Sequence, residues 1–252
     1  VRVGLTDTEY YIFGDGKEAL SNFVETKRAP KSLANEVSRS YTSATLSLDQ
    51  HALRELVADE ENDNADRSVI DPERDASILI TKKLRLRQEI ATNELLFDDG
   101  TTFASYTAAA TAKWDAATTY IEQDIDAAKL SVLKKAGVAA NTIVIPPTTA
   151  QKMKRQSEIR DLVKYTDSTL LVNGDLPPRL FGLEVIIPTT LNNEADPGVS
   201  TASIDFLHDD FDVWVGYVER EAPNMLSLSC FYTFVRPING TVDIGVKKYR
   251  EE

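Results

Sequence analysis

Asp71-Pro72 opens a run of 25 residues, Glu73 to Phe97, that contains neither glycine nor proline. An aspartate side chain accepts hydrogen bonds from the free N–H groups of a first helical turn, and proline at the first helical position has its φ preset and no N–H to lose. The pair predicts a helix from Pro72 or Glu73 to about Phe97, long for a globular protein. Within it, Leu79, Leu86, Ile90 and Phe97, spaced by seven, four and seven, form one stripe able to bury against a sheet. The stretch KKLRLR adds Lys82, Lys83, Arg85 and Arg87 in six residues, the concentrated basic patch of the chain. Two readings of that patch stay open: a solvated helix flank paired with nearby acids, or an anion-facing surface.

The stretch NTIVIPPTTAQKM, Asn141 to Met153, reads as a buried strand running into a helix, a junction where many α/β proteins hold a phosphate. Pro146 and Pro147 offer no N–H to an anion, so the turn is built for shape. Thr148 and Gln151 have the spacing of a capping box, which predicts a helix capped from within. Upstream, Ile121, Ile125, Ala128 and Val132 mark a helix over roughly 118–136, with Lys134 and Lys135 at its carboxyl end and Gly137 as its cap. Downstream, SEIRDLVKY is a further helical turn or two. Asn173-Gly174 marks a tight turn, Pro177-Pro178 a rigid connection and LEVIIP a buried strand. LNNEADPGVST is a polar loop, IDFLH a strand, and Asp209-Asp210 a turn. In FDVWVGYV, Phe211, Val213, Val215 and Tyr217 alternate as a half-buried strand. The end of the chain, LSLSCFYTFV and TVDIGVKKYREE about a turn at Asn239-Gly240, reads as β.

The first forty residues, with Tyr10, Tyr11, Ile12 and Phe13 and then Lys27, Arg28, Pro30 and Lys31, show neither helical periodicity nor a long strand. They read either as an arm that packs on something else or as an irregular terminus. YTSATLSL, from Tyr41, suggests a strand, and HALRELVADE a short helical piece. Asp59, Glu60, Glu61, Asp63 and Asp66 invite a calcium reading, but a calcium loop needs a glycine at its turn and this segment has none. A solvated acidic connection is the expectation.

Several function classes are disfavoured. A net charge of −12 opposes dedicated nucleic-acid binding, which depends on Lys and Arg neutralising phosphates. The single cysteine, Cys230, allows no intramolecular disulfide and no cysteine-based zinc site. No apolar run is long enough for a membrane span, and the amino end reads as neither signal peptide nor presequence. The absence of methionine at Val1 suggests processing, or further residues of the gene product beyond those given. The histidines are His51 and His208. His208, beside Asp205, Asp209, Asp210 and Asp212, is the best candidate for a metal or acid–base site, although it sits on a hairpin turn where aspartate is common for local reasons. No Walker loop, GxGxxG, GxSxG, HExxH or CxxC occurs. No catalytic, cofactor-binding or metal residue is assigned.

Taken in order, these features resemble the major capsid proteins of tailed bacteriophages, a Hong Kong 97-type fold shared with encapsulins. An acidic link leads into NADRSVIDPERDASILITKKLRLRQE. It is followed by WDAATTYIEQDIDAAKLSVL, NTIVI, RDLVKYT, LFGLEVIIP and VKKYREE. The resemblance runs from about Tyr41 to the end. It implies an α+β chain with an N-terminal arm (1–40), an extended β-loop (41–71), a peripheral domain carrying the long spine helix (72–114), an axial domain (115–225) and C-terminal strands returning to the peripheral domain (226–252). It further implies a structural protein, not an enzyme, that self-assembles into an icosahedral shell around phage double-stranded DNA. Such a protein is found in the virion capsid and assembles in the bacterial cytoplasm. Its partners are copies of itself in hexamers and pentamers, with portal, scaffold and decoration proteins, and no membrane. The spine helix lies towards the shell interior, so the resemblance turns Lys82, Lys83, Arg85 and Arg87 towards packaged DNA. It implies no cofactor and no identifiable crosslinking pair. Relatives continue past YREE, so a further carboxyl-terminal strand is expected. An encapsulin-like compartment with an enzyme cargo is the nearest alternative, and a soluble metal-dependent α/β enzyme using His208 a more distant one.

Overall fold

The computed structural model describes residues 7–13, 25–36, 41–66, 69–97, 103–116, 120–163, 174–193, 195, 198, 201, 203–208, 212–220, 229–235 and 244. They form a mixed α+β chain whose core lies in its second half.

The centre of that core is a four-stranded sheet in the order β4 (Arg179–Leu180), β5 (Leu183–Ile186), β3 (Thr142–Val144), β8 (Trp214–Gly216). β3 pairs parallel with β5 and antiparallel with β8, and β4 pairs antiparallel with β5. The β4–β5 turn is Phe181-Gly182. Both residues have positive φ, 52° and 80°, as the two-residue turn that matches strand twist requires. Asn141 extends the ladder past β3. Its Nδ2 donates to the Val218 carbonyl at 2.8 Å while its Oδ1 accepts from the Val218 N–H at 2.9 Å, so one side chain acts as an extra strand residue.

Helix α3 (Ile121–Ala136) packs its stripe on this sheet. Ile121 and Ile125 are buried, while Ala128 and Val132 are half-buried. Gly137 closes the helix in the left-handed conformation, φ 74°, and donates to the Leu133 carbonyl. Ile121, Ile125, Ile143, Ile145, Met153, Ile159 and Leu183 share the core, each contributing roughly 1.5–3 kcal/mol by burial. Val213 and Val215 face this core, and Trp214 covers the other side of β8 with its ring 5.8 Å from that of Phe231. Phe211 of the same alternation lies outside the described residues.

The junction after β3 differs from expectation. Helix α4 (Pro147–Met153) starts at Pro147, Pro146 is its N-cap, and no side chain caps it. Proline at the first helical position draws Thr148 inside the first turn, where its hydroxyl can no longer reach back to a free N–H. The Thr148–Gln151 capping box therefore does not form, and Thr148 Oγ1 and Thr149 Oγ1 are buried without a hydrogen-bond partner. Helix α5 (Ser157–Val163) follows.

Four other expectations are corrected. The amino-terminal region contains a full strand, β1 (Asp7–Phe13), which pairs antiparallel along its length with β2 (Tyr41–Ser47). Its partner lies some thirty residues away, which hid it from local reading. The helical piece expected over HALRELVADE is displaced to α1 (Asp59–Asn64), where Asp59, Glu60 and Glu61 occupy the first turn and favour the positive end of the helix dipole. The loop LNNEADPGVST begins with strand β6 (Leu191–Asn193), paired with β7 (Ile204–Phe206). At the end of the chain, residues 229–235 contain a single bridge at Val235 and no strand. The turns expected at Asp209-Asp210 and Asn239-Gly240, and the segment VKKYREE, lie outside the described residues.

Candidate assembly surface and basic helix face

Helix α2 (Pro72–Leu96) forms as the sequence predicts. Asp71 is the N-cap, its Oδ1 accepting from the Arg74 N–H at 3.3 Å, and Pro72 opens the helix. The Asn62 side chain donates to Glu73 at 3.2 Å and ties α1 to the first turn. At the other end the Asn93 side chain donates to the Leu207 carbonyl at 3.3 Å. Beside it the Phe97 ring stacks on His208 with centroids 3.6 Å apart.

That stack fixes what the His208 ring does in this fold. His208 is buried, and its Nε2 lies 3.2 Å from the Asp212 carbonyl. Asp205 is exposed on β7, and Asp209 and Asp210 lie outside the described residues. Among the described residues no group of three or more His, Cys, Asp or Glu side chains converges on a cation site. His51 is exposed in an extended segment.

Along α2 only Ala76 is buried. Leu86, Ile90 and Phe97 are half-buried, whereas Leu79 is 43% exposed. The expected stripe is thus covered in its carboxyl-terminal part alone. In the first half the better-covered positions are Ala76, Ser77, Ile80, Thr81 and Leu84, on a different side of the helix.

Lys82, Lys83, Arg85 and Arg87 are all exposed on this helix. At about 100° per residue, Lys82 and Arg85 fall about 40° and 100° to one side of Leu86, and Lys83 and Arg87 about 60° and 100° to the other. The sequence shows one basic cluster, and the helix divides it into two rails flanking the Leu86–Ile90–Phe97 stripe. Lys82, Lys83 and Arg87 have no carboxylate partner among the described residues, while Arg85 is engaged within the chain.

Away from α2 the polar contacts fasten local structure. The Glu158 carboxylate of α5 accepts from the Ile121 and Glu122 N–H groups at 3.1 and 3.0 Å, capping α3 from another helix. Asp124 accepts from Thr111 Oγ1 at 2.7 Å and Trp114 Nε1 at 3.1 Å. Burial opposes ionisation of Asp124, but these bonds and one from the Thr111 N–H outweigh it, and its carboxyl sits below the usual aspartate value. Lys152 pairs with Asp115 at 3.0 Å, and its hydrogen bond lowers the Asp115 carboxyl. Arg220 pairs with Glu184.

Large apolar side chains remain uncovered around this frame. Leu33 is 93% exposed, Val69 76%, Leu56 71% and Ile204 63%. On the β6–β7 hairpin, Leu191, Ile204 and Phe206 belong to paired positions of two short strands, and Leu191 and Phe206, directly opposite, point the same way.

No protein-family model and no curated protein matches this chain. Among solved structures it is similar to a phage-related protein from Bordetella bronchiseptica RB50, with a TM-score of 0.62 and 20% identity over 96% of this chain and 77% of that one. A structure from Mycobacterium phage Che8 gives a TM-score of 0.46 and 18% identity over 72% of this chain, which spans 61% of that one. The first likeness shows a shared mixed helix and strand fold.

Proposed function

We propose that this chain is the major capsid protein of a tailed phage, of the Hong Kong 97 type, and that it self-assembles into an icosahedral shell enclosing double-stranded DNA. The observation that carries the reading is α2: a 25-residue helix with one buried residue, in a chain that leaves Leu33, Val69, Leu56 and Ile204 in solvent. An isolated chain gains little from such a helix, whereas a closed shell of many copies gives its faces something to pack on. Shell closure then makes many modest contacts strong together. The solved structure that shares the fold is described as phage-related, which favours a phage shell over an encapsulin-like compartment.

In this reading the work is done by surfaces, with no reacting group. The two cation rails of α2 face the lumen, where they meet phosphate by charge without reading sequence. The surrounding negative charge keeps that contact weak, as packaged DNA that must leave again requires. Portal, scaffold and decoration proteins are the expected further partners, with assembly in the host cytoplasm.

Light scattering coupled to size exclusion, with negative-stain microscopy of the large fraction, tests the reading. Closed shells of uniform diameter are expected, alone or with a scaffold protein. A monomer at all concentrations that binds a stoichiometric transition metal would instead support the His208 enzyme reading.

A further inference from the structure

Two exposed features of this chain are complementary to each other. Residues 25–35 form a closed loop. The Asn35 side chain donates to the Glu25 carbonyl, Ser32 donates through both its N–H and its hydroxyl to the Ala29 carbonyl, and Arg28 reaches the Ser32 carbonyl at 3.2 Å. Lys31 takes a left-handed φ of 68° to make the turn. This fastened knob presents Lys27, Arg28 and Lys31 to solvent together with Leu33, 93% exposed. A leucine held out this far on an internally hydrogen-bonded loop gains nothing from its own chain.

The second feature is a groove of about 490 Å³ between α1 and the start of α2, lined by Glu61, Asn64, Ala65, Asp66, Val69 and Ile70 and closed by Pro72. Its walls are mostly apolar, with Val69 and Ile70 76% and 57% exposed. Its acidic side chains are Glu61 and Asp66. The volume takes a leucine side chain, and Glu61 and Asp66 are opposite in charge to Lys27, Arg28 and Lys31.

We propose that the knob of one copy seats Leu33 between Ala65, Val69 and Ile70 in this groove of a second copy, with Lys27, Arg28 and Lys31 against Glu61 and Asp66. Such a contact joins different patches on the two copies, so it can run head to tail from subunit to subunit around a ring. Apolar seating supplies the hold, and the charge complementarity supplies register and choice of partner. The inference rests on the self-assembly reading and names one of its contacts.

Mixed crosslinking tests it. In a Cys230→Ser background, one preparation carries Ala34→Cys and another Asn64→Cys, both at exposed positions beside the contact. The two are assembled together and exposed to a short bismaleimide. A covalent dimer that forms only in the mixture is expected. Reversal of Lys27, Arg28 and Lys31 to glutamate lowers its yield roughly tenfold, and reversal of Glu61 and Asp66 to lysine in the other copy restores it. Shells that form without the mixed dimer overturn this contact and leave the shell reading standing. The mixed dimer without shells supports the contact and overturns the shell reading. A chain carrying both cysteines that links only to itself overturns the second-copy assignment.

Discussion

Asp124 and Glu158 show how single carboxylates hold the amino end of α3. Glu158 accepts from two N–H groups that no residue of the helix itself can satisfy. Glu158→Ala is expected to destabilise the unassembled chain by about 1.5–3 kcal/mol, the range for hydrogen bonds to a charged group. Glu158→Gln, which keeps one acceptor, costs less, and urea unfolding followed by circular dichroism reads the difference. For Asp124 the folded carboxyl lies below its unfolded value. Its contribution is therefore fully present above the unfolded value, about 3.9, and disappears as pH falls through the folded one. The stability gap between the native chain and Asp124→Asn should hold constant from neutral pH down to roughly 5 and shrink in more acid solution. A gap independent of pH throughout would mean that the Asp124 charge contributes nothing to the fold. Glu158 was not legible as a cap in the sequence, because it lies 36 residues from the N–H it serves at Glu122. The partner of His208 is hidden in the same way: its stacking ring, Phe97, belongs to the far end of α2.

Elements were legible where their ends carry local chemistry. Asp71-Pro72 announces α2, and Gly137 marks the end of α3, because a cap acts within one turn. Where a proline competes with a threonine for the same role, as at 146–149, local spacing misled, since the fixed φ of Pro147 starts the helix first. β1 and β6 escaped because a strand is defined by a partner that the sequence does not place beside it. Two glycines separate these influences by experiment. At Gly137 an added Cβ meets nothing within 4 Å, so Gly137→Ala costs only the left-handed backbone, about 1–2 kcal/mol. At Gly216 the added Cβ would collide with the Trp214 ring. Gly216→Ala must displace that buried indole from the edge strand of the central sheet, and is expected to destabilise more than Gly137→Ala. Trp214 fluorescence should shift in the Gly216 variant and stay unchanged in the Gly137 variant.

At the scale of the whole molecule, cohesion is uneven, and function follows from where it is low. The core cluster draws on α3, α4, α5 and the central sheet, while α2 contributes no residue to it. Amides of α2 should therefore exchange faster in the free chain than those of α3, and slow on assembly, since local opening follows the apolar contact that an element makes. Equal protection of both helices in the free chain would mean that α2 is stable without neighbours. In the proposed shell the two cation rails have separable roles. The cluster of cations was legible in the sequence, but its division was not, because which side of a helix is covered depends on what packs there. Arg85 is engaged within the chain, so the Lys83–Arg87 rail has the greater freedom to meet phosphate. Reversing Lys83 and Arg87 to glutamate should leave shell diameter unchanged and reduce the salt dependence of DNA retention by about two phosphate contacts per subunit, a larger effect than reversing Lys82 and Arg85. Equal losses from both pairs would mean that DNA meets the helix across its apolar stripe, and the stripe would then have to be open to the lumen.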